Sequence, residues 1–216
     1  VVPVFDRGVD DALGLPFLVM ARLHGVPLTE VIRTAQASMP RGPEAATFAR
    51  VDWLPVAGGE TSYLRQLVRW GEQLARGLAA AHAVGVHHRD VKPSNAFVTT
   101  EGRAVLVDFG IASAAADEGA LTATGTSLGT PWYMAPEQAA GEHDPDGVAI
   151  DVYGLGATLY HALALAPPFQ DEPARVLQRL QREDPPRLSR LHPRLHRDLV
   201  AIVECAMSRQ PRHRYA

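Results

Sequence analysis

The chain has 216 residues, 46% hydrophobic and 21% charged, with a formal net charge of −3; this suits one folded domain, or a large part of one, around a single substantial core. Such a balance gives no basis for a nucleic-acid or anionic-membrane surface, and the single cysteine, Cys205, excludes an internal disulfide framework and suits a reducing compartment. No charged stretch ahead of an apolar run reads as a signal peptide. In chain order, residues 1–6 read as a strand, 7–16 as a turn, and Phe17-Leu18-Val19-Met20 as a second strand. Residues 28–37 follow as a short helix. Residues 38–59, with Pro40, Gly42, Pro43, Pro55, Gly58 and Gly59, hold too many breakers to continue it and read as a loosely packed insertion.

Between residues 62 and 84 a helical period places Leu64, Leu67, Val68, Leu74, Leu78 and Ala81 on one face, and Gly85 supplies the stop. Residues 95–99 and 103–107 read as two short strands around Glu101-Gly102. Residues 152–170 carry no Asp, Glu, Lys or Arg. Gly154, Gly156, His161 and the Pro167-Pro168 break leave too little for the roughly 20-residue crossing a bilayer needs, so a buried central helix is expected, with Asp151 at its start as a cap. Residues 175–182 and 195–208 read as amphipathic helices. His192 and His196 are four apart, but Pro193 interrupts them and no acid completes a metal site, so both are expected on the surface.

The chemistry concentrates in Val86-His87-His88-Arg89-Asp90-Val91-Lys92-Pro93-Ser94-Asn95. Asp90 can accept a proton from a hydroxyl, Lys92 can neutralise a phosphate oxygen, and Asn95 can offer a side-chain oxygen to a cation. These are the parts of phosphoryl transfer. Twenty arginines stand against one lysine, and that lysine is Lys92. A second acid, Asp108, ends the apolar run Val105-Leu106-Val107 and precedes Phe109 and Gly110, where the chain can turn. It is the natural Mg²⁺ ligand. Further on stands Gly129-Thr130-Pro131-Trp132-Tyr133-Met134-Ala135-Pro136-Glu137.

His88-Arg89-Asp90 with Lys92 and Asn95, then Asp108-Phe109-Gly110, then Ala135-Pro136-Glu137, resemble the signature set of a protein kinase in its proper order. Lys92, two residues after Asp90, and the Gly129-Thr130 pair resemble the serine/threonine branch, and the chain as a whole resembles the bacterial Hanks-type enzymes. The resemblance implies an α+β, protein kinase-like fold, mostly the helical C-lobe with the last N-lobe strands. Residues 1–23 would be remnant N-lobe strands and hinge. Residues 24–216 would be the C-lobe, with 38–59 a loop insertion and the C-terminal helix incomplete. The chain holds no G-x-G-x-x-G and no lysine for the strand position that meets the α- and β-phosphates. The resemblance therefore predicts a piece that begins after these parts and is inactive by itself.

The same resemblance implies the site. Asp90 would position and deprotonate the substrate hydroxyl, Lys92 would steady the γ-phosphate of ATP, and Asn95 and Asp108 would hold Mg²⁺. Met20 would be the gatekeeper, Ala21 and Leu23 would meet the adenine edge through their backbones, and Phe97 would form the floor. Thr130 would contact the catalytic acid and lysine. Glu137 would pair with Arg214, Asp151 would brace the backbone at His88-Arg89, and His88 would pack the loop. Thr122 and Thr124, eight and six residues before Thr130, are spaced like the phosphorylated threonines of bacterial kinases, with Arg89 the cation for such a phosphate. The second basic residue usual after Asp-Phe-Gly is absent, with Ala112 and Ser113 there instead. Pro27 stands where many relatives carry a carboxylate, which leaves substrate preference open.

The expected activity is transfer of the ATP γ-phosphate to Ser/Thr hydroxyls of protein substrates. Neither nucleic acid nor membrane contact is expected from this segment. The expected location is the cytoplasm, free or as the cytoplasmic domain of a larger membrane-anchored protein. A non-catalytic, pseudokinase-like regulatory lobe is the alternative. Small-molecule phosphotransferases of related fold share the acid and the amide, but Lys92, Thr130 and Ala135-Pro136-Glu137 argue for protein substrates.

Overall fold

A computed structural model describes residues 2–38, 63–109, 131–142 and 147–216. Of the insertion expected over residues 38–59, Ser38 instead ends a helix and the remainder lies outside the described residues, as do Gly110 and the three threonines Thr122, Thr124 and Thr130. Within them the architecture is the α+β arrangement that the sequence predicts, a helical body carrying two small antiparallel sheets.

The first sheet is a hairpin of β1 (Val4–Val9) and β2 (Pro16–Met20). Its first strand outruns the sequence reading. Arg7, Gly8 and Val9 do not turn; they pair with Leu18, Phe17 and Pro16, and the turn shortens to the residues around Asp10. There the Asp10 carboxylate accepts from the N–H groups of Ala12 and Leu13, both at 2.9 Å, an aspartate-led turn of the usual kind. The second sheet runs β3 (Gly25–Pro27), β4 (Ala96–Thr99), β5 (Ala104–Leu106) in that spatial order. Strand β3 was not legible as one. At Gly25 a Cβ would lie 2.0 Å from the Val98 carbonyl, and φ is +149°, so only glycine lets the two backbones close there.

Helix α1 (Leu28–Ser38) buries Leu28, Val31, Ile32 and Ala35, the spacing of one helical face. Helix α2 (Tyr63–His82) buries Tyr63, Leu67, Trp70, Leu74, Leu78 and Ala81. Val68, expected on that face, is 48% exposed instead. One residue past Leu67 is about 100° further round the helix, and Val68 lines an open apolar groove with Leu159 and Ile202.

Helix α4 (Val148–Ala164) passes through the core, packed on α2 and on α7 (Arg197–Ala206). The short helix α3 (Pro136–Ala139) precedes it, and α5 (Pro173–Arg182) and α6 (Leu188–Leu191) follow. The expectation that Asp151 caps α4 fails: Gly147, at φ +67°, holds the cap position, and Asp151 lies a turn inside, where its carboxylate serves other donors. His192 is likewise not on the surface. It is 6% exposed, because α6 ends in it and turns the chain inward, its N–H donating to the Leu188 carbonyl at 2.8 Å. His196 does face solvent and caps α7, its Nδ1 accepting from the Asp198 N–H at 3.3 Å. No group of three metal-ligating side chains forms among the described residues, and none of their helices is long and apolar enough to cross a membrane.

Candidate active site

Helix α2 stops where Gly85, at φ +74°, lets the Gly85 and Val86 N–H groups fold back on the carbonyls of His82 and Ala81, at 2.9 and 3.0 Å. The chain then lies directly on α4. At Gly154 a Cβ would stand 2.7 Å from the Val91 carbonyl oxygen, and at Gly147 one would stand 2.9 Å from the His87 side chain. Two glycines therefore set how closely the segment carrying Asp90 approaches the central helix.

Asp151 fixes that segment from below. Its side chain is fully buried, Oδ2 accepts from the His88 N–H at 2.8 Å and Oδ1 from the Arg89 N–H at 2.6 Å, and His82 Nε2 donates to Oδ2 at 2.8 Å. Three donors hold a charge that would otherwise be costly to bury. Arg89 is thereby kept at φ 60°, a left-handed conformation that non-glycine residues seldom adopt. His88 is buried with its ring 4.6 Å from that of Phe109. Its Nε2–H donates to the Val107 carbonyl at 2.9 Å and its Nδ1 accepts from the Asp90 N–H at 3.4 Å; these partners assign the tautomer. The ring is a structural strut between the two acid-bearing segments, with no free nitrogen for catalysis.

Asp90, Lys92 and Asn95 meet. The Lys92 ammonium sits 2.7 Å from Asp90 Oδ2, and the Asn95 amide donates to that oxygen at 3.0 Å and to the Asp90 carbonyl at 2.9 Å. Asp90 is half exposed and Lys92 mostly buried, at 51% and 19%, so the carboxylate opens to solvent while the cation is held beneath it. Asn95 is buried, and both donated bonds leave from its nitrogen, so Oδ1 is its acceptor; it meets the Ser94 hydroxyl at 3.4 Å and keeps a second lone pair. The Val107 N–H donates to the Asn95 carbonyl at 2.9 Å. Asp108 therefore follows directly after a residue tied to Asn95. It too is left-handed, at φ 60°, is exposed, and has no hydrogen-bond partner among the described residues.

Met20 and Phe97 lie on strands β2 and β4, and Ala21 and Leu23 lie in the link between β2 and β3. Met20 ends β2 and lines an apolar pocket of about 390 Å³ with Val2, Leu18, Val86, Phe109 and Asp108. Ala21 donates its N–H to the Pro3 carbonyl at 3.0 Å. Leu23 is half-buried just before β3, and Phe97, half-buried on β4, stands opposite both Pro27 and Val105. Glu137 and Arg214 form a two-pronged buried pair, with Arg214 Nη2 donating to Glu137 Oε2 at 2.7 Å and Nη1 to Oε1. Arg214 also donates to the Ala149 and Ser208 carbonyls, at 2.8 and 2.7 Å, and stacks over the Tyr153 ring.

Sequence reasoning missed three contributors. His82 had only its place in the last turn of α2. Gln138 belongs to no motif, yet its Nε2 donates to the Arg89 carbonyl and its Oε1 accepts from the Ala135 N–H, each at 3.0 Å. Tyr133 donates its hydroxyl to His161 Nδ1 at 2.7 Å; burial brings His161 down to about 4 and pushes the Tyr133 hydroxyl up, so both stay neutral.

Compared with known proteins, the chain matches the model of the protein kinase domain over residues 56–216. It is 34% identical over its whole length to a probable serine/threonine-protein kinase of Corynebacterium efficiens. It is 35% identical to the serine/threonine-protein kinase PknB of Mycobacterium tuberculosis, and 36% identical to PknH of Mycobacterium bovis, again over the whole chain. The chain spans 30%, 31% and 32% of those relatives' own lengths.

Proposed function

Because the chain belongs to the protein kinase domain family, we propose that it carries the catalytic lobe of a serine/threonine protein kinase, which transfers the γ-phosphate of ATP to protein Ser and Thr hydroxyls. The observation that carries this is the contact of Asp90 with Lys92 and Asn95 on one loop. Asp90, its carboxylate open to solvent, orients the substrate hydroxyl and takes its proton as the new P–O bond forms. Lys92 sits where an ammonium offsets charge on the transferred group, and it also keeps Asp90 oriented.

Asn95 Oδ1 and the exposed Asp108 carboxylate are hard oxygen donors from adjoining segments, a set that fits Mg²⁺. Asn95 and Asp108 would hold that ion, and the chemistry it would supply is neutralisation of the negative charge on the ATP phosphates. On the strand side, Met20 is the gatekeeper, the backbones of Ala21 and Leu23 meet the adenine edge, and Phe97 is its floor. Arg89 receives a phosphate on Thr122 or Thr124, and Thr130, which like them lies outside the described residues, is assigned to the serine/threonine signature. The reaction belongs in the cytoplasm, where ATP is available and Cys205 stays reduced.

The 216 residues supply neither a glycine-rich loop nor a second lysine, so the test uses the full polypeptide that the gene encodes. Transfer of labelled γ-phosphate to a generic protein substrate should be seen, and should drop by about 10²-fold or more in Asp90→Asn. ATP binding without transfer by the wild-type polypeptide, unchanged in Asp90→Asn, would instead establish a regulatory lobe.

A further inference from the structure

The peptide group that joins Arg89 to Asp90 is held from outside its own loop. Its carbonyl oxygen accepts from Gln138 Nε2 at 3.0 Å, and its N–H faces His88 Nδ1 at 3.4 Å. A peptide group is planar, so holding its oxygen and its nitrogen fixes the plane from which the Asp90 side chain departs. The Arg89 N–H is already taken by Asp151. Of these three anchors, only Gln138 comes from the segment that follows the phosphate-acceptor side of the site, Pro131–Tyr133 and α3. Its other end accepts from the Ala135 N–H at 3.0 Å, and Ala135 is fully buried. The cleft lined by Asp90, Tyr133, Met134 and Gln138 has a volume of about 40 Å³, room for about one water. The link between the two segments is therefore the glutamine amide itself.

We propose that Gln138 is a positioning residue: its carboxamide locks the peptide ahead of Asp90 to the substrate-side backbone at Ala135, so that acid and acceptor hydroxyl are aligned together. This rests on the kinase reading above. The carboxamide meets both needs at once, its NH2 donating and its oxygen accepting. Glutamate keeps the acceptor for Ala135 and replaces the donor with an oxygen that repels the Arg89 carbonyl. A misplacement of about 1 Å in such a site costs about 10²-fold in rate.

The experiment measures kcat and KM in the full polypeptide for wild type, Gln138→Glu, Gln138→Ala and Gln181→Ala. Gln181 donates to the Ala139 carbonyl at 3.1 Å and tethers the same short helix from its exposed side, so it reports on loosening of α3 alone. Both Gln138 variants should lower kcat by about 10- to 100-fold and leave KM for ATP within about twofold. Gln181→Ala should keep kcat within about twofold. Gln138→Glu with wild-type kcat, or an equal loss in Gln181→Ala, overturns the assignment. Should the wild type itself transfer no phosphate, the kinase reading fails, and hydrogen exchange over residues 86–92 decides the bridge. Faster exchange in Gln138→Glu than in wild type or Gln181→Ala supports the lock, and identical exchange removes it.

Discussion

The Arg214 guanidinium meets both carboxylate oxygens of Glu137 at a place where the two side chains are 0% and 5% exposed. Breaking a buried pair strands the surviving charge, which costs about 3–5 kcal/mol. Arg214→Ala and Glu137→Ala should each lose that much stability in chemical denaturation. Arg214→Lys should recover little of it, because an ammonium cannot make the fork or reach the Ala149 and Ser208 carbonyls together. A full recovery would show that only the charge matters.

Asp151→Asn replaces one acceptor oxygen with an NH2 group and so strands one of the three donors at that carboxylate. Each stranded buried donor costs about 1–3 kcal/mol. A loss in that range by urea denaturation is expected, together with a lower kcat, since Arg89 loses part of what holds it at φ 60°. An unchanged denaturation midpoint would show that the loop keeps its shape without this acid.

Gly71→Ala and Gly154→Ala make opposite predictions from the same chemical change. Alanine in a helix interior is favoured over glycine by about 1 kcal/mol. At Gly71 the new methyl meets the Leu159 side-chain tip at 3.1 Å, which can move aside. At Gly154 it meets the Val91 backbone at 2.7 Å, and such overpacking costs about 1–3 kcal/mol. Thermal denaturation should show Gly71→Ala equal to or above wild type and Gly154→Ala below it, with transfer activity reduced only in the second.

His161 makes stability depend on pH. Burial holds it at about 4, below the 6.5 of an unperturbed imidazole, so between those values the unfolded chain binds more protons. Stability should therefore fall as pH drops from about 6.5 toward 4, by roughly 3 kcal/mol at the lower end for this residue. His161→Gln keeps an acceptor for the Tyr133 hydroxyl and removes the titration. Its denaturation free energy should be flatter across that range, and a wild-type slope in the variant would assign the effect elsewhere.

The site was legible where its chemistry is local. Asp90, Lys92 and Asn95 fall within six positions, and no distant part of the chain is needed to see that an acid, an ammonium and an amide will meet. Helices α1, α2 and α4 announced themselves by period or by a long uncharged run. What escaped depends on partners far along the chain. Strand β3 is three residues ending in proline, and it is a strand only because Thr99, Val98 and Phe97 lie beside it. Val68 and His192 were misplaced because one helical step, or one inward turn, separates a core position from the surface. Gln138 carries no sequence signal at all: its role exists only because Arg89 and Ala135, 46 residues apart, present a carbonyl and an N–H to the same side chain.

The ammonium held 2.7 Å from Asp90 is also the only side-chain amine among 216 residues. An amine-selective acylating reagent can therefore mark one side chain in the whole polypeptide segment, and that mark falls inside the cleft. The extent of labelling at Lys92, read by peptide mass so that the α-amino group is counted apart, becomes a direct gauge of whether anything occupies the space in front of the acid.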